Sequence, residues 1–168
     1  MKSILHLTIL ILICIIFSNA SASQIDTLKN ISTVAVNIKV SSPENDFNGL
    51  DITELKKEIE KKLNEARIDT VEYKDWKNNI GGSYLYIKII TSKMYNSDSY
   101  AVYIDVDLYQ AVVLIKSRIE ENKVVHGNTW SVGKLLNCKS DSMNGCLFGN
   151  TMELIDFFIK DFREVNKL

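Results

Sequence analysis

Apolar and polar residues alternate along much of this chain, and such alternation is typical of strands that bury one face. Between residues 33 and 40, for example, Val34, Val36, Ile38 and Val40 share one side. Five segments follow the pattern, the second of them only weakly: Thr33–Val40, Asp69–Trp76, Ser83–Thr91, Tyr100–Lys116 and Val124–Val132. The alternation breaks down after Gln110, where we expect a bulge or a bend.

Two segments carry apolar residues at spacings of three and four, which predicts amphipathic helices. The first opens at Asp51, an N-cap residue with Glu54 in the capping-box position, and ends near Ala66. The second opens with a similar pattern at Asn150 and runs to about Asn166. The polar stretch 134–149 before it is expected to be a loop.

The order of these elements, β-α-β-β-β-β-α, indicates the fold class. Strands that alternate need one covered face and one wet face, and two amphipathic helices are enough to cover the first. The sequence therefore predicts an α+β fold, a two-layer sandwich. We expect one mostly antiparallel sheet of four or five strands, with both helices on the same face.

The N-terminus has the pattern of a secretory signal peptide. Lys2 supplies the positive charge, and Ile9–Phe17 is an apolar run too short to span a bilayer. Small residues at Ala20 and Ala22 predict cleavage after Ala22. Residues 1–22 are thus interpreted as the signal peptide and residues 23–168 as one exported domain, periplasmic or secreted, with no transmembrane segment in the mature chain.

Composition excludes several kinds of function. The net charge of −1 among 168 residues argues against a nucleic-acid partner. Once Cys14 leaves with the signal peptide, Cys138 and Cys146 remain, and in an exported chain two cysteines first indicate a disulfide. A metal or redox pair is the alternative, but the spacing is not a redox spacing and His126 is the only mature histidine. We expect no cofactor and no metal site.

Two groups of polar or aromatic residues lie on the predicted uncovered face. Tyrosines suit contact surfaces because they combine apolar area with a hydroxyl, although aromatic residues also simply suit strands. The candidate binding surface comprises Tyr84, Tyr86, Tyr103 and Tyr109. On the same face Asp105 and Asp107 could act as acid and base, or be a solvated pair.

The layout resembles that of small bacterial envelope proteins. The resemblance includes the strand Val34–Val40, the helix opened by Gly49-Leu50, the strand Tyr100–Ile115, the pair Thr129-Trp130 and the closing helix that ends at Val165. Similar layouts occur in the lipopolysaccharide-assembly lipoprotein, in auxiliary lipoproteins of lipid-transport ABC systems and in the N-terminal domain of the TolB protein. Those lipoproteins carry a lipidated Cys just after the signal, where this chain has Ser23.

The resemblance implies binding and assembly rather than catalysis. The sequence therefore predicts an exported, non-enzymatic envelope protein that binds or helps to assemble another envelope protein or a lipid-linked component. Two alternatives stay open: a small secreted hydrolase that uses Asp105 and Asp107, and a secreted inhibitor or effector.

Overall fold

The computed structural model describes residues 24–42, 50–76, 82–114 and 123–168. The predicted signal peptide lies outside these ranges. No helix within them is long and apolar enough to cross a bilayer.

Five strands and two long helices follow one another in the predicted order. The strands are β1 (Thr33–Ser41), β2 (Asp69–Val71), β3 (Ser83–Lys93), β4 (Ser99–Leu114) and β5 (Lys123–Lys139). The helices are α1 (Ile52–Glu65) and α2 (Met143–Asn166), and a short 3-10 turn, Ser140–Ser142, leads into α2. The α+β class is confirmed.

The strands form one sheet in the order β2-β1-β3-β4-β5, and this sheet is mixed. The prediction of antiparallel pairing holds for β3, β4 and β5 but not for the other edge, where β1 runs parallel to both β2 and β3. For β1 and β2 the reason is α1, since a helix between two neighbouring strands returns the chain to the same end of the sheet and so makes the next strand parallel. The connection from β2 to β3 returns the chain a second time, so that β3 also runs parallel to β1.

Both helices pack on one face of the sheet, as predicted. Leu55, Ile59 and Leu63 of α1 join the buried core, together with Ile155 and Phe158 of α2. The sheet contributes the alternate apolar residues of its central strands: Val34, Val36, Leu85, Ile87, Ile89, Val102, Ile104, Val106 and Leu108. A salt bridge between Lys62 and Asp156 joins the two helices at the surface.

Helix α1 begins where the capping pattern places it. The Asp51 carboxylate accepts hydrogen bonds from the backbone N–H groups of Thr53, at 2.9 Å, and Glu54, at 3.0 Å. These bonds satisfy two of the amides that a helix start leaves without a partner.

Helix α2 begins earlier than predicted. The expected loop over residues 134–149 is instead the end of β5 followed by the first turns of the helix. Met143 and Leu147 are buried there and give the extra turns an apolar side. Asn150 does not cap the helix, because its side-chain amide donates to the carbonyl oxygen of Cys146, one turn back.

The predicted pair of cysteines joins these two elements. Cys138 at the end of β5 and Cys146 in the first turns of α2 have their Sγ atoms at disulfide distance, 2.00 Å. The bond fastens the start of α2 to the sheet edge.

The β4–β5 ladder contains one bulge, but it lies before Gln110 rather than after it. Leu108 pairs with Trp130 and Tyr109 pairs with Asn128, so that Thr129 has no opposite residue. The Thr129 carbonyl instead accepts a hydrogen bond from the Thr27 hydroxyl. The bulge also keeps Asn128 and Ser131 on the same face of the sheet, although they are three residues apart in the chain.

Candidate functional site on the open face of the sheet

The face of the sheet opposite the helices carries all six candidate residues. Tyr84 and Tyr86 alternate with buried residues of β3, and Tyr103, Asp105, Asp107 and Tyr109 do the same in β4. This placement follows directly from the period of two that predicts the strands. The register then decides which of these side chains meet.

The four tyrosines do not form one group. Tyr84 lies opposite Tyr109, and their rings stack with centroids 5.0 Å apart and planes within 6° of each other. Tyr86 meets Tyr109 edge-on at 6.4 Å. Tyr103 pairs with Ile90, three same-face residue pairs along the sheet from the Tyr84–Tyr109 pair. We call the Tyr103 end of the open face its upper end and the Tyr84 end its lower end. The predicted surface is therefore a cluster of three tyrosines and one separate tyrosine.

Three more rings complete the lower group, and of these the sequence alone indicates only Tyr73 as a neighbour of the open-face tyrosines. The segment that follows β2 carries Tyr73 and Trp76 over the open face. The indole of Trp76 packs 4.6 Å from the Tyr84 ring and 4.5 Å from the His126 ring. We call this group the aromatic cluster; its members are Tyr73, Trp76, Tyr84, Tyr86, Tyr109 and His126.

Trp76 is only 5% exposed, so the lower end of the open face is covered rather than wet. The rings that Trp76 contacts come from the segment after β2, from β3 and from β5. The alternation within one strand does not predict contacts between such distant segments. The strand predicted over Asp69–Trp76 ends at Val71, so that Trp76 lies in the segment beyond it.

The carboxylate pair, Asp105 and Asp107, lies in the middle of the open face. Asp107 is 8% exposed, and the side-chain amide of Asn128 donates to its Oδ1 at 2.7 Å. Burial of a carboxylate is costly without a hydrogen-bond donor, and this contact supplies one. The bulge at Thr129 turns Asn128 toward Asp107.

Asp105 has a different environment. Burial and then the neighbouring charge of Asp107 raise the pKa of the Asp105 carboxyl above its ordinary value. Hydrogen bonds from Tyr103 and Ser131 and the charge of Lys88, its opposite residue on β3, work in the other direction. The carboxylate is thus held by donors from β4 and β5 and by a cation on β3.

Gly133 makes room for this arrangement. It lies opposite Asp105 on β5. A Cβ atom at this position would lie 2.9 Å from the Tyr103 hydroxyl and 3.1 Å from Oδ1 of Asp105. The tyrosine hydroxyl and the carboxylate therefore lie directly over the backbone of β5.

The second tryptophan, Trp130, lies on the helix side, where it packs edge-on against Phe158 at 5.1 Å and donates to Asp161 at 3.0 Å. Within the described ranges, no group of three or more His, Cys, Asp or Glu side chains is arranged to hold a metal ion.

No family model matches the chain, and no curated protein matches its sequence. The open face therefore has to be interpreted from its own geometry.

Proposed function

We propose that this protein is an exported, non-enzymatic binding protein that uses the open face of its sheet to hold another envelope component. The observation that carries the proposal is the asymmetry of the sheet. Helices bury the apolar residues in the middle of one face, whereas the middle and upper parts of the other face present partly exposed Tyr86 and Tyr103 beside Asp105.

The chemistry of this surface suits recognition of a polar partner. Tyrosine rings offer apolar contact area, and their hydroxyls and the carboxylate pair offer hydrogen-bonding groups at fixed positions. Tyr103 is held by Asp105, and Asp107 is held by Asn128. Side chains fixed in this way lose little conformational freedom when a partner binds, which favours affinity.

The same hydrogen bonds favour binding over hydrolysis. A carboxylate that acts as an acid or a base must reach a substrate atom, and Asp107 is mostly buried and already occupied by Asn128. The raised pKa of Asp105 beside Asp107 is the observation that supports a hydrolase as the second candidate.

Recovery of the partner tests the binding function. The tagged protein is crosslinked in whole cells of its source, and the material attached to it is identified. We expect Tyr86→Ala and Tyr103→Ala to lose the partner, because loss of an aromatic anchor costs about 1–2 kcal/mol of affinity or more. Thermal melting of both variants should change much less than in a variant that removes the buried Trp76, since both tyrosines are partly exposed and neither belongs to the helix-covered core.

Tyr95→Ala is the matched control, because Tyr95 is a fully solvated tyrosine in the turn between β3 and β4. It should retain the partner. Partner recovery that is unaffected by both open-face substitutions would contradict the proposal. Loss of a hydrolytic activity in Asp105→Asn, with partner recovery intact, would favour the hydrolase.

Export is tested separately. N-terminal sequencing of the protein recovered outside the cytoplasm should begin at Ser23, within a residue or two. A recovered chain that still starts at Met1 would contradict cleavage.

A further inference from the structure

The outer strand β5 leaves part of its backbone without a partner. β5 pairs with β4 on one side, and the chain near the N-terminus covers its other side over a short stretch. There, Gln24 Nε2 donates to the Ser131 carbonyl at 2.8 Å, and the Thr27 hydroxyl donates to the Thr129 carbonyl at 3.0 Å. The edge beyond Ser131 has no such cover among the described residues.

The direction of the uncovered groups follows from the Ser131 contact. Its carbonyl points off the edge, and in an antiparallel ladder residues two apart point the same way. Gly133, Leu135 and Asn137 therefore direct their N–H and C=O groups away from β4. None of these groups has a backbone partner among the described residues on that side. We call residues 132–138 the free edge.

Of the features that normally prevent strands from pairing, the free edge has one, the charged side chain of Lys134, and that charge is paired with Glu153 of α2. The edge contains no proline, and the only irregularity of the described β4–β5 ladder lies elsewhere, at Leu108/Tyr109. On the open face Leu135 is 76% exposed. On the helix side, exposed Phe157 lies between two α2 residues that bond to β5, one turn from each. These are Glu153, which accepts from Lys134, and Asp161, which accepts from Trp130. Apolar side chains thus flank the free edge above and below.

We propose that the free edge pairs with the same edge of a second copy of this chain, antiparallel and centred on Leu135. The uncovered stretch is symmetric about this residue: the covered Ser131 lies four positions before it, and Lys139, the last residue of β5, lies four positions after it. With Leu135 opposite its own copy, Gly133 lies opposite Asn137. All three outward-pointing residues then form hydrogen-bonded pairs around one two-fold axis.

The charges next to the two-fold axis are balanced, as pairing with a second copy requires. Lys134 forms a salt bridge with Glu153 of α2 at 2.7 Å, next to the axis. In this register the two Lys134 residues become diagonal neighbours across the interface, within reach of each other's glutamate. The two salt bridges therefore meet as a neutral cluster of four charges. On the other face, Leu135 contacts its copy and loses its exposure to water.

The oligomeric state of the purified protein tests this inference, which does not depend on the open-face binding function. Sedimentation of the wild type at concentrations up to about 100 µM, which detects a dissociation constant in the micromolar range, should show a dimer. Leu135→Asp should raise the dissociation constant by about tenfold or more, because it replaces an apolar contact by two facing like charges. Its melting curve at low concentration should match that of the wild type, since Leu135 lies at the surface.

Val124→Asp is the matched control, since Val124 is 61% exposed on the same strand but outside the free edge. It should leave the dimer intact. A Leu135→Cys variant should crosslink with itself on mild oxidation, because residues in a hydrogen-bonded pair lie about 5.5 Å apart at Cα, within disulfide range. A monomeric wild type would overturn the proposal. Equal loss of the dimer in Leu135→Asp and Val124→Asp would also overturn it, and so would crosslinking of Leu135→Cys that is no faster than that of Val124→Cys.

Discussion

At the scale of single residues, the polar groups of the open face show how a sheet can hold charge in a partly buried position. Asp107 keeps a donor from Asn128, and Asp105 is supported by Tyr103, Ser131 and Lys88. The two carboxylates still repel each other, and this repulsion has a consequence for stability that depends on pH.

The stability of the protein should decrease as the pH rises through the pKa of Asp105. Burial and then the charge of Asp107 raise this pKa above the ordinary value of 3.8, so that the folded state binds more protons than the unfolded state. The contribution is fully present below the unfolded pKa and is lost above the folded one. In urea unfolding from about pH 4 to pH 7, the wild type should lose stability relative to Asp105→Asn. A difference between the two that stays constant over this range would contradict the expectation.

The contact between Tyr103 and Asp105 should require a glycine at position 133, because a side chain there would occupy the same space. In Gly133→Ala the new methyl group would lie 2.9 Å from the Tyr103 hydroxyl and push it away from Asp105. Because the end of a side chain can move, we expect a cost of only about 1 kcal/mol in the free energy of unfolding. Recovery of the binding partner should fall, as we also expect for Tyr103→Ala.

Gly149→Ala provides the comparison for this variant. Gly149 lies within α2, and a Cβ atom there would have no neighbour within 4 Å. This substitution should stabilise the protein by up to about 1 kcal/mol, since glycine disfavours a helix interior. Destabilisation by both alanines would indicate that crowding at Gly133 is not the cause.

At the scale of elements, the disulfide ties the first turns of α2 to the end of β5. It closes a short loop between the end of β5 and residue 146, and the first helical turns depend on that anchor together with buried Met143 and Leu147. The double variant Cys138→Ser/Cys146→Ser should fold but lose roughly 2–3 kcal/mol of stability. Chemical unfolding measures this loss, and a reductant should lower the stability of the wild type without affecting the double variant. Two titratable thiols in protein taken from its native compartment would contradict the bond.

At the scale of the whole molecule, the segment after β2 forms a second, smaller packing layer on the open face. Trp76 connects this segment to Tyr84 on β3 and His126 on β5. The aromatic cluster therefore connects the segment after edge strand β2 to β3 and to the other edge strand, β5, across the open face of the sheet.

Replacing Trp76 should be costly for this reason. Trp76→Ala removes a side chain that is almost fully buried, and we expect a loss of about 2–4 kcal/mol in the free energy of unfolding. Tyr95→Ala, which removes an aromatic ring from a fully solvated turn, should cost close to nothing. Equal melting temperatures for the two variants would show that the aromatic cluster contributes little to stability.

The local pattern was sufficient for the α+β class, for the start of α1 and for the face on which each strand residue lies. Asp51 caps α1 through hydrogen bonds to residues two and three positions away, and the alternation in β3 and β4 depends only on neighbours in the chain. Such signals reflect the burial of one side of an element, which the element's own residues decide. The pairing of Cys138 with Cys146 was also predicted from the sequence, because these are the two cysteines left once Cys14 is assigned to the signal peptide.

The tertiary structure alone decided how the elements are arranged beside one another. Whether β1 runs parallel to β3 depends on how the chain connects these strands. Whether Tyr103 lies beside Tyr84 or three same-face pairs away depends on the register between β3 and β4. The position of Trp76 over the open face and the uncovered edge around Leu135 depend on which strand becomes the outer one. A periodic pattern states that a face is buried but not what covers it, because the contact that covers it is made by residues elsewhere in the chain.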